Sequence, residues 1–184
     1  MSIKIETHPE NHYKFCPRCA APGNFNNEDL SFKCPVCGFH FYMNSAAAVM
    51  AVIFNNAEEL LIVKRGVEPF IGMNDLPGGF VDPGENAESA LIREIKEELN
   101  LELSSFKFYT SFPNQYLFSG TIVYTVDLVF ECKVSDFSRM KYGDDIRGIK
   151  FIKLEEIDFD TFPFKSAKYL LQKLIHERNN HKTD

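Results

Sequence analysis

The stretch "GGFVDPGENAESALIREIKEEL", residues 78–99, decides how the rest of the chain is read. Its second half carries Ala87, Leu91, Ile95 and Leu99 at four-residue spacing, one apolar stripe of a helix over 87–99 that packs on a sheet. Asn86 suits the N-cap and Asn100 the left-handed residue that ends a helix. The polar side works against the helix. Glu94, Glu97 and Glu98 crowd onto one face of its last turns. Like charges four apart repel by roughly 0.2–0.5 kcal/mol per pair. Carboxylates there also oppose the negative end of the helix dipole, at about 0.3–1 kcal/mol each. Arg93 and Lys96 offset only part of this. A sequence built for helix stability alone would place Lys and Arg here. The arrangement therefore reads as a cation site, with a solvated acidic helix as the alternative.

The chemistry of such a site suits polyphosphates. Clustered carboxylates bind Mg²⁺ or Mn²⁺, hard cations that bridge phosphate oxygens and lower the pKa of bound water. Glu94 and Glu98 can ligate one metal cluster, and Glu97 lies close to that face as a ligand or a base. Glu85 and Arg93 are opposite charges placed to hold the preceding loop against the helix. The double glycine at 78–79 lets main chain approach the metal closely.

From Gly79 the spacing is G, five residues, Glu85, seven residues, then Arg93-Glu94-Ile95-Lys96-Glu97-Glu98-Leu99-Asn100-Leu101. This resembles the Nudix box, G-x5-E-x7-R-E-U-x-E-E-x-G-U with U aliphatic. Eight specified positions match over 23 residues, and Asn100 stands where the family has Gly. Asn is the next best residue for a left-handed backbone. The resemblance implies an α+β fold, a mixed β-sheet packed by helices as an α/β/α sandwich. It implies metal-dependent hydrolysis of a phosphoanhydride, with Glu85, Arg93, Glu94, Glu97 and Glu98 as the catalytic set. It further implies that the Gly78 carbonyl joins Glu94 and Glu98 as a metal ligand. A carboxylate shortly before the last strand often completes the family's site. Asp145 occupies that place, with Asp144 beside it, although two aspartates there also suit a turn before a strand.

Two further pairs of residues carry metal chemistry. "CPRC" (Cys16, Cys19) and "CPVCG" (Cys34, Cys37) are separated by fourteen residues, a spacing that supplies four thiolates to a structural Zn²⁺. Gly38 suits the tight turn of such a knuckle. The other readings are surface thiol pairs or a redox motif. Cys132 lies in a strand and reads as a small core residue.

Residues 1–44 accordingly form a four-cysteine zinc ribbon and 45–184 a Nudix hydrolase domain. Length suits a small module plus one domain: 184 residues, with 18 Phe, 7 Tyr and no Trp. "SAAAVMAVIF" and "ELLIVKRG" read as strands of a hairpin. "FKFYTSF" and "TIVYTVDLVFECKV" read as two more around a turn, "PNQYLFSG", then "RGIKFIKL" as a last strand. "FKSAKYLLQKLIHER" is a terminal helix leading into a polar tail.

The net charge of −6 disfavours unassisted binding to nucleic acid or an anionic membrane. The polar N-terminus lacks a signal-peptide pattern, and no apolar run approaches a membrane span. A cytoplasmic protein is expected, acting on a small-molecule nucleotide, with a homodimer open.

Ribbon followed by box, over residues 14 to about 155, resembles the NADH pyrophosphatases (NAD diphosphatases) among Nudix enzymes. That subfamily carries S-Q-P-W-P-F-P-x-S after the box. Here Ser111, Pro113 and Ser119 match, Tyr116 stands for Phe, Asn114 replaces the Trp, and the later prolines are absent. Phe112, Tyr116 and Phe118 are candidates to stack on a base, or are core residues of a hairpin end. Arg65 is a candidate for holding phosphate oxygens; Lys64 beside it is read as a solvated strand end. The expected substrate is a nucleoside diphosphate linked to another moiety, such as NADH or ADP-ribose. A non-catalytic nucleotide-sensing module is the alternative.

Overall fold

Helix α1 (Ala87–Leu99) starts where Asn86 Oδ1 accepts from Ser89 N at 2.7 Å, and stops at Asn100, whose backbone turns left-handed (φ 50°, ψ 33°). The Asn100 N–H closes onto the carbonyls of Ile95 and Lys96. Ala90, Leu91, Ile95 and Leu99 are its buried face. The computed structural model describes residues 7–181. The polar N-terminus begins in residues 1–6 and the polar tail ends in residues 182–184, both outside the described residues.

The chain forms two compact units: the N-terminal segment through Ser45 with Gln115–Tyr124, and Ala46–Asn114 with the chain from Thr125 onward. The first contains an antiparallel sheet, β1 (Asn24–Asn26), β2 (Ser31–Lys33) and β3 (His40–Tyr42), in that order. Phe32, Cys16 and Cys34 are its core, covered by Phe25, Phe39 and Phe41. So few apolar side chains make a thin core, the usual setting for a stabilising metal.

The second unit holds β4 (Ala46–Ile53), β5 (Leu60–Arg65), β6 (Asn74–Asp75), β7 (Gly78–Phe80) and β10 (Ile146–Ile152). The long strands β8 (Leu103–Phe118) and β9 (Thr121–Val134) each run from one unit into the other. One sheet has the order β7-β4-β9-β8, the other β10-β5-β6. β4 is parallel to β9 and antiparallel to β7.

The expected hairpin of β4 and β5 does not form. The two strands enter different sheets and share one isolated bridge, Phe54 to Leu60. Both are near-continuous apolar runs buried on both faces, which suits interior strands with partners on each side. The expected turn "PNQYLFSG" is also strand as far as Phe118. The chain reverses over Ser119 and Gly120, both at positive φ as a tight hairpin turn requires.

Helix α1 packs over β4 and β7. Val49, Ala51, Ile53, Leu61, Val63 and Phe130 meet Leu91, Ile95 and Leu99 in one core. Met50, Val52, Leu60 and Ile62 bury the alternate faces of β4 and β5. Helix α2 (Lys165–His181) buries Ala167, Leu170 and Leu171 and touches β8 through Tyr169 on Phe112 and Glu177 on Tyr109. The result is the mixed α+β sandwich of sheets between helices. Among the described residues no helix is long and apolar enough to cross a membrane.

Candidate functional site

The glycine pair of β7 lies directly against α1. Gly78 pairs with Met50 and Gly79 with Val49. Gly78 has φ +144°, and a Cβ there would stand 2.9 Å from the carbonyl carbon of Val49, so neither backbone nor space admits a side chain. Its N–H donates to Glu98 Oε2 at 2.9 Å. The Glu94 carboxylate fills the place a side chain on residue 79 would need, with Cδ 2.5 Å from an ideal Cβ. Glu94 and Glu98, four apart on α1, thus both press against the Gly78–Gly79 backbone.

Arg93 ties the loop to the helix. Its Nε donates to Glu85 Oε1 at 3.1 Å and its terminal nitrogen to Oε2 at 2.9 Å, a two-pronged pairing. The same guanidinium donates to Glu94 (2.8 Å), Glu97 (3.2 Å) and the carbonyl of Phe80 (3.0 Å). Hydrogen bonding to Arg93 holds the Glu85 carboxyl below its usual range. It also keeps the guanidinium protonated, well above its ordinary pKa.

The three glutamates are not equivalent. Glu97 is 62% exposed, and among the described residues its carboxylate meets Arg93 alone. Burial raises the Glu94 carboxyl. Burial first, then the charges of Glu94, Asp75 and Asp145, push Glu98 up to about 8. Asp145 is near enough to act on Glu98. The segment before β10 caps α1: Gly143 N donates to Glu98 O at 2.8 Å and Asn100 Nδ2 to Arg139 O at 2.9 Å. Asp145 O then accepts from Gly66 N at 2.7 Å.

Arg65 does not present a free guanidinium to phosphate as expected. Nε donates to Pro69 O at 2.9 Å, the ion pair to Asp75 Oδ2 is 3.1 Å, and the group lies 5.0 Å over the Phe164 ring. These internal partners engage Nε and one terminal nitrogen of the guanidinium. Lys64 is exposed. Phe112 packs on Tyr169, with ring centroids 6.2 Å apart, and Tyr116 stacks on Phe118 at the same separation.

Asp75, buried on β6, was missed by sequence reasoning. Burial outweighs Arg65 and raises it to about 6. Only its position three residues ahead of Gly78 hinted at it.

The four thiols of Cys16, Cys19, Cys34 and Cys37 lie within 4.8 Å of one another. The sulfurs of Cys16 and Cys37, and of Cys19 and Cys34, are 3.6 Å apart. A tetrahedron with metal–sulfur bonds of about 2.3 Å has edges of about 3.8 Å, so the donor set fits Zn²⁺. The two knuckles match: Ala20 N donates to Cys16 O and Gly38 N to Cys34 O, and both donors sit at positive φ (58° and 72°). The Cys37 N–H directed at Cys34 Sγ lowers that thiol to about 6. Among the described residues this is the one set of three or more ligating side chains drawn so close. On α1, one terminal nitrogen of Arg93 is shared by the Glu94 and Glu97 carboxylates, while Glu98 turns to Gly78. Cys132 lies in the core, its thiol pushed up to about 12 by burial.

Comparison with known proteins agrees with this fold. The model of the NUDIX domain matches residues 44–173. The chain belongs to the NUDIX family. It is 33% identical over 121 residues to the ADP-ribose pyrophosphatase of Methanocaldococcus jannaschii, covering 65% of this chain and 68% of that one. It is 27% identical over 100 residues to the NAD-capped RNA hydrolase NudC of Pseudomonas aeruginosa, covering 54% of this chain and 35% of the relative. The chain thus aligns with about a third of NudC's length. A NUDIX hydrolase crystal structure from Nitrosomonas europaea shares the fold, with TM-score 0.67 at 22% identity over 91% of this chain and 93% of that one.

Proposed function

We propose that the chain hydrolyses the pyrophosphate bond of a nucleoside diphosphate linked to another moiety, with NADH and ADP-ribose as the substrates to try first. The carrying observation is the pressing of two half-buried carboxylates, Glu94 and Glu98, onto the Gly78–Gly79 backbone. Glu94, Glu98, Asp145 and the Gly78 carbonyl are the groups that would hold Mg²⁺ or Mn²⁺. When bound there, such a cation would supply Lewis-acid chemistry, offsetting phosphate charge and lowering the pKa of a coordinated water.

The chain's own residues do the rest. Arg93 and Glu85 keep the glycine loop on α1, so that ligand positions are set before substrate arrives. Glu97 is exposed and able to take a proton from attacking water once it leaves Arg93. Tyr116 and Phe118 are offered as a stacking surface for a base. The four-cysteine knuckles of the 1–44 ribbon would hold one Zn²⁺ as a structural ion, because four thiolates leave no open coordination position.

The test is release of phosphate-containing product from NADH, ADP-ribose and FAD, with and without Mg²⁺, for wild type and Tyr116→Ala. Metal-dependent turnover is expected, with substrate preference relaxed about tenfold in the variant. Binding without turnover would overturn the hydrolytic reading in favour of a nucleotide sensor.

A further inference from the structure

Asp127 is a buried carboxylate on β9 with both oxygens engaged. Oδ1 accepts from Thr125 Oγ1 at 2.7 Å and Oδ2 from Asn114 Nδ2 at 3.1 Å. The second bond decides how the Asn114 amide points. A carboxylate only accepts, so the NH₂ end of the amide must face Asp127 and the carbonyl oxygen must face away. No donor among the described residues meets that oxygen, and Asn114 is half-buried rather than sealed. An asparagine usually offers either a donor or an acceptor by turning over. This one is held as an acceptor.

Its place in the fold gives the acceptor a use. Asp127 is in register with Ala48 of β4, and Ala48 with Phe80 of β7, two residues beyond Gly78. Ala46 and Ala48 put little bulk on β4 between them. From β7 to β8 is three strand spacings, ~14 Å, a span that an extended nucleotide can bridge. Asp127 is also near enough to act on Asp75, as Asp75 acts on Glu98.

Resting on the hydrolytic reading above, we propose that Asn114 reads the base of the substrate and Asp127 is its positioning residue, the pair selecting a base with an exocyclic amino group over one with an exocyclic oxygen. Adenine meets the requirement and hypoxanthine does not. An amino group donates to Asn114 Oδ1, whereas a carbonyl in its place brings two acceptors together, and the N1–H of hypoxanthine, one ring atom away, reaches that oxygen only if the base shifts. Position 114 is also where the array of the NADH pyrophosphatases has Trp, so a hydrogen bond stands where a stacking ring would be.

The experiment compares kcat/KM for ADP-ribose and its hypoxanthine analogue in the full chain. Wild type is expected to favour adenine about tenfold or more. Asn114→Ala should bring the ratio close to one. Asp127→Asn frees the amide to turn over, so the ratio should narrow while turnover of ADP-ribose persists, an outcome that a purely structural role would not give. If Asp127→Asn does not fold, Asn114→Ser at the half-buried strand position carries the same comparison. A wild-type ratio near one, or a ratio unchanged in the position-114 variants, overturns the inference and leaves the hydrolytic reading standing. Absence of hydrolysis with these two compounds and with NADH and FAD overturns both.

Discussion

The carboxylate of Glu94 occupies the volume that a side chain on residue 79 would fill, with Cδ 2.5 Å from where a Cβ would stand. Helix and strand are thereby matched at one atom. Gly79→Ala should fold, because what must move is the end of a flexible side chain. It should lose most activity and bind Mn²⁺ more weakly, since Glu94 is displaced. Gly78→Ala is expected to behave differently. Its obstacle is the Val49 backbone and its φ is +144°, so a loss of stability on the order of 3 kcal/mol or more is expected. Thermal melts beside Mn²⁺ titrations of the two variants check the contrast; similar melting losses in both would refute it.

Glu98 lies among Glu94, Asp75 and Asp145 with like charge. Glu98→Gln removes a ligand and, above about pH 8 where the metal-free carboxyl is ionised, a repulsion as well. Without divalent metal its melting temperature should equal or exceed that of wild type, while kcat falls by at least about a hundredfold, some 2.7 kcal/mol. Full activity at saturating Mg²⁺ would remove Glu98 from the site.

The parts of this fold that sequence made legible are those fixed by neighbours along the chain. Asn86 and Asn100 cap α1 as their local chemistry requires, and the cysteine knuckles close within four residues each. Partner choice between strands was not legible. β4 and β5 lack the alternation that would mark a two-sided hairpin, and an apolar run does not say which strand it joins. Pro113 and Asn114 looked like a turn, yet β8 is the edge of its sheet, where a missing N–H costs little. Asp75 comes near Glu98, and Asp127 near Asp75, only through tertiary folding, so no local pattern announced them.

The sulfur cluster makes a compositional prediction. Purified protein should carry about one Zn²⁺ per chain, and Cys34→Ser should lose it. Ala20 sits at φ 58°, where the matching position of the second knuckle has Gly38. Ala20→Gly should therefore raise the chelator concentration needed to strip zinc, by relief of about 1 kcal/mol of backbone strain. Zinc-free wild type with freely titrating thiols would sink the ribbon; an easier loss of zinc in Ala20→Gly would sink the strain argument.

Arg65 and Asp75 form a buried ion pair in which desolvation wins, so that Asp75 titrates at about 6 in the folded chain against 3.8 for the ordinary group. A carboxyl raised on folding binds its proton more tightly in the native state. Its contribution to stability is therefore fully present below pH 3.8 and lost as pH rises through about 6. Asp75→Asn has no proton to lose and should lack this component. Relative to the variant, wild type should be more favoured at pH 4 than at pH 7.5, by on the order of 2–3 kcal/mol. Urea denaturation of both proteins at the two pH values, with chelator present, measures the difference. A constant gap across that range would mean that Arg65 holds the Asp75 carboxylate ionised throughout, with the pair rather than burial setting its charge.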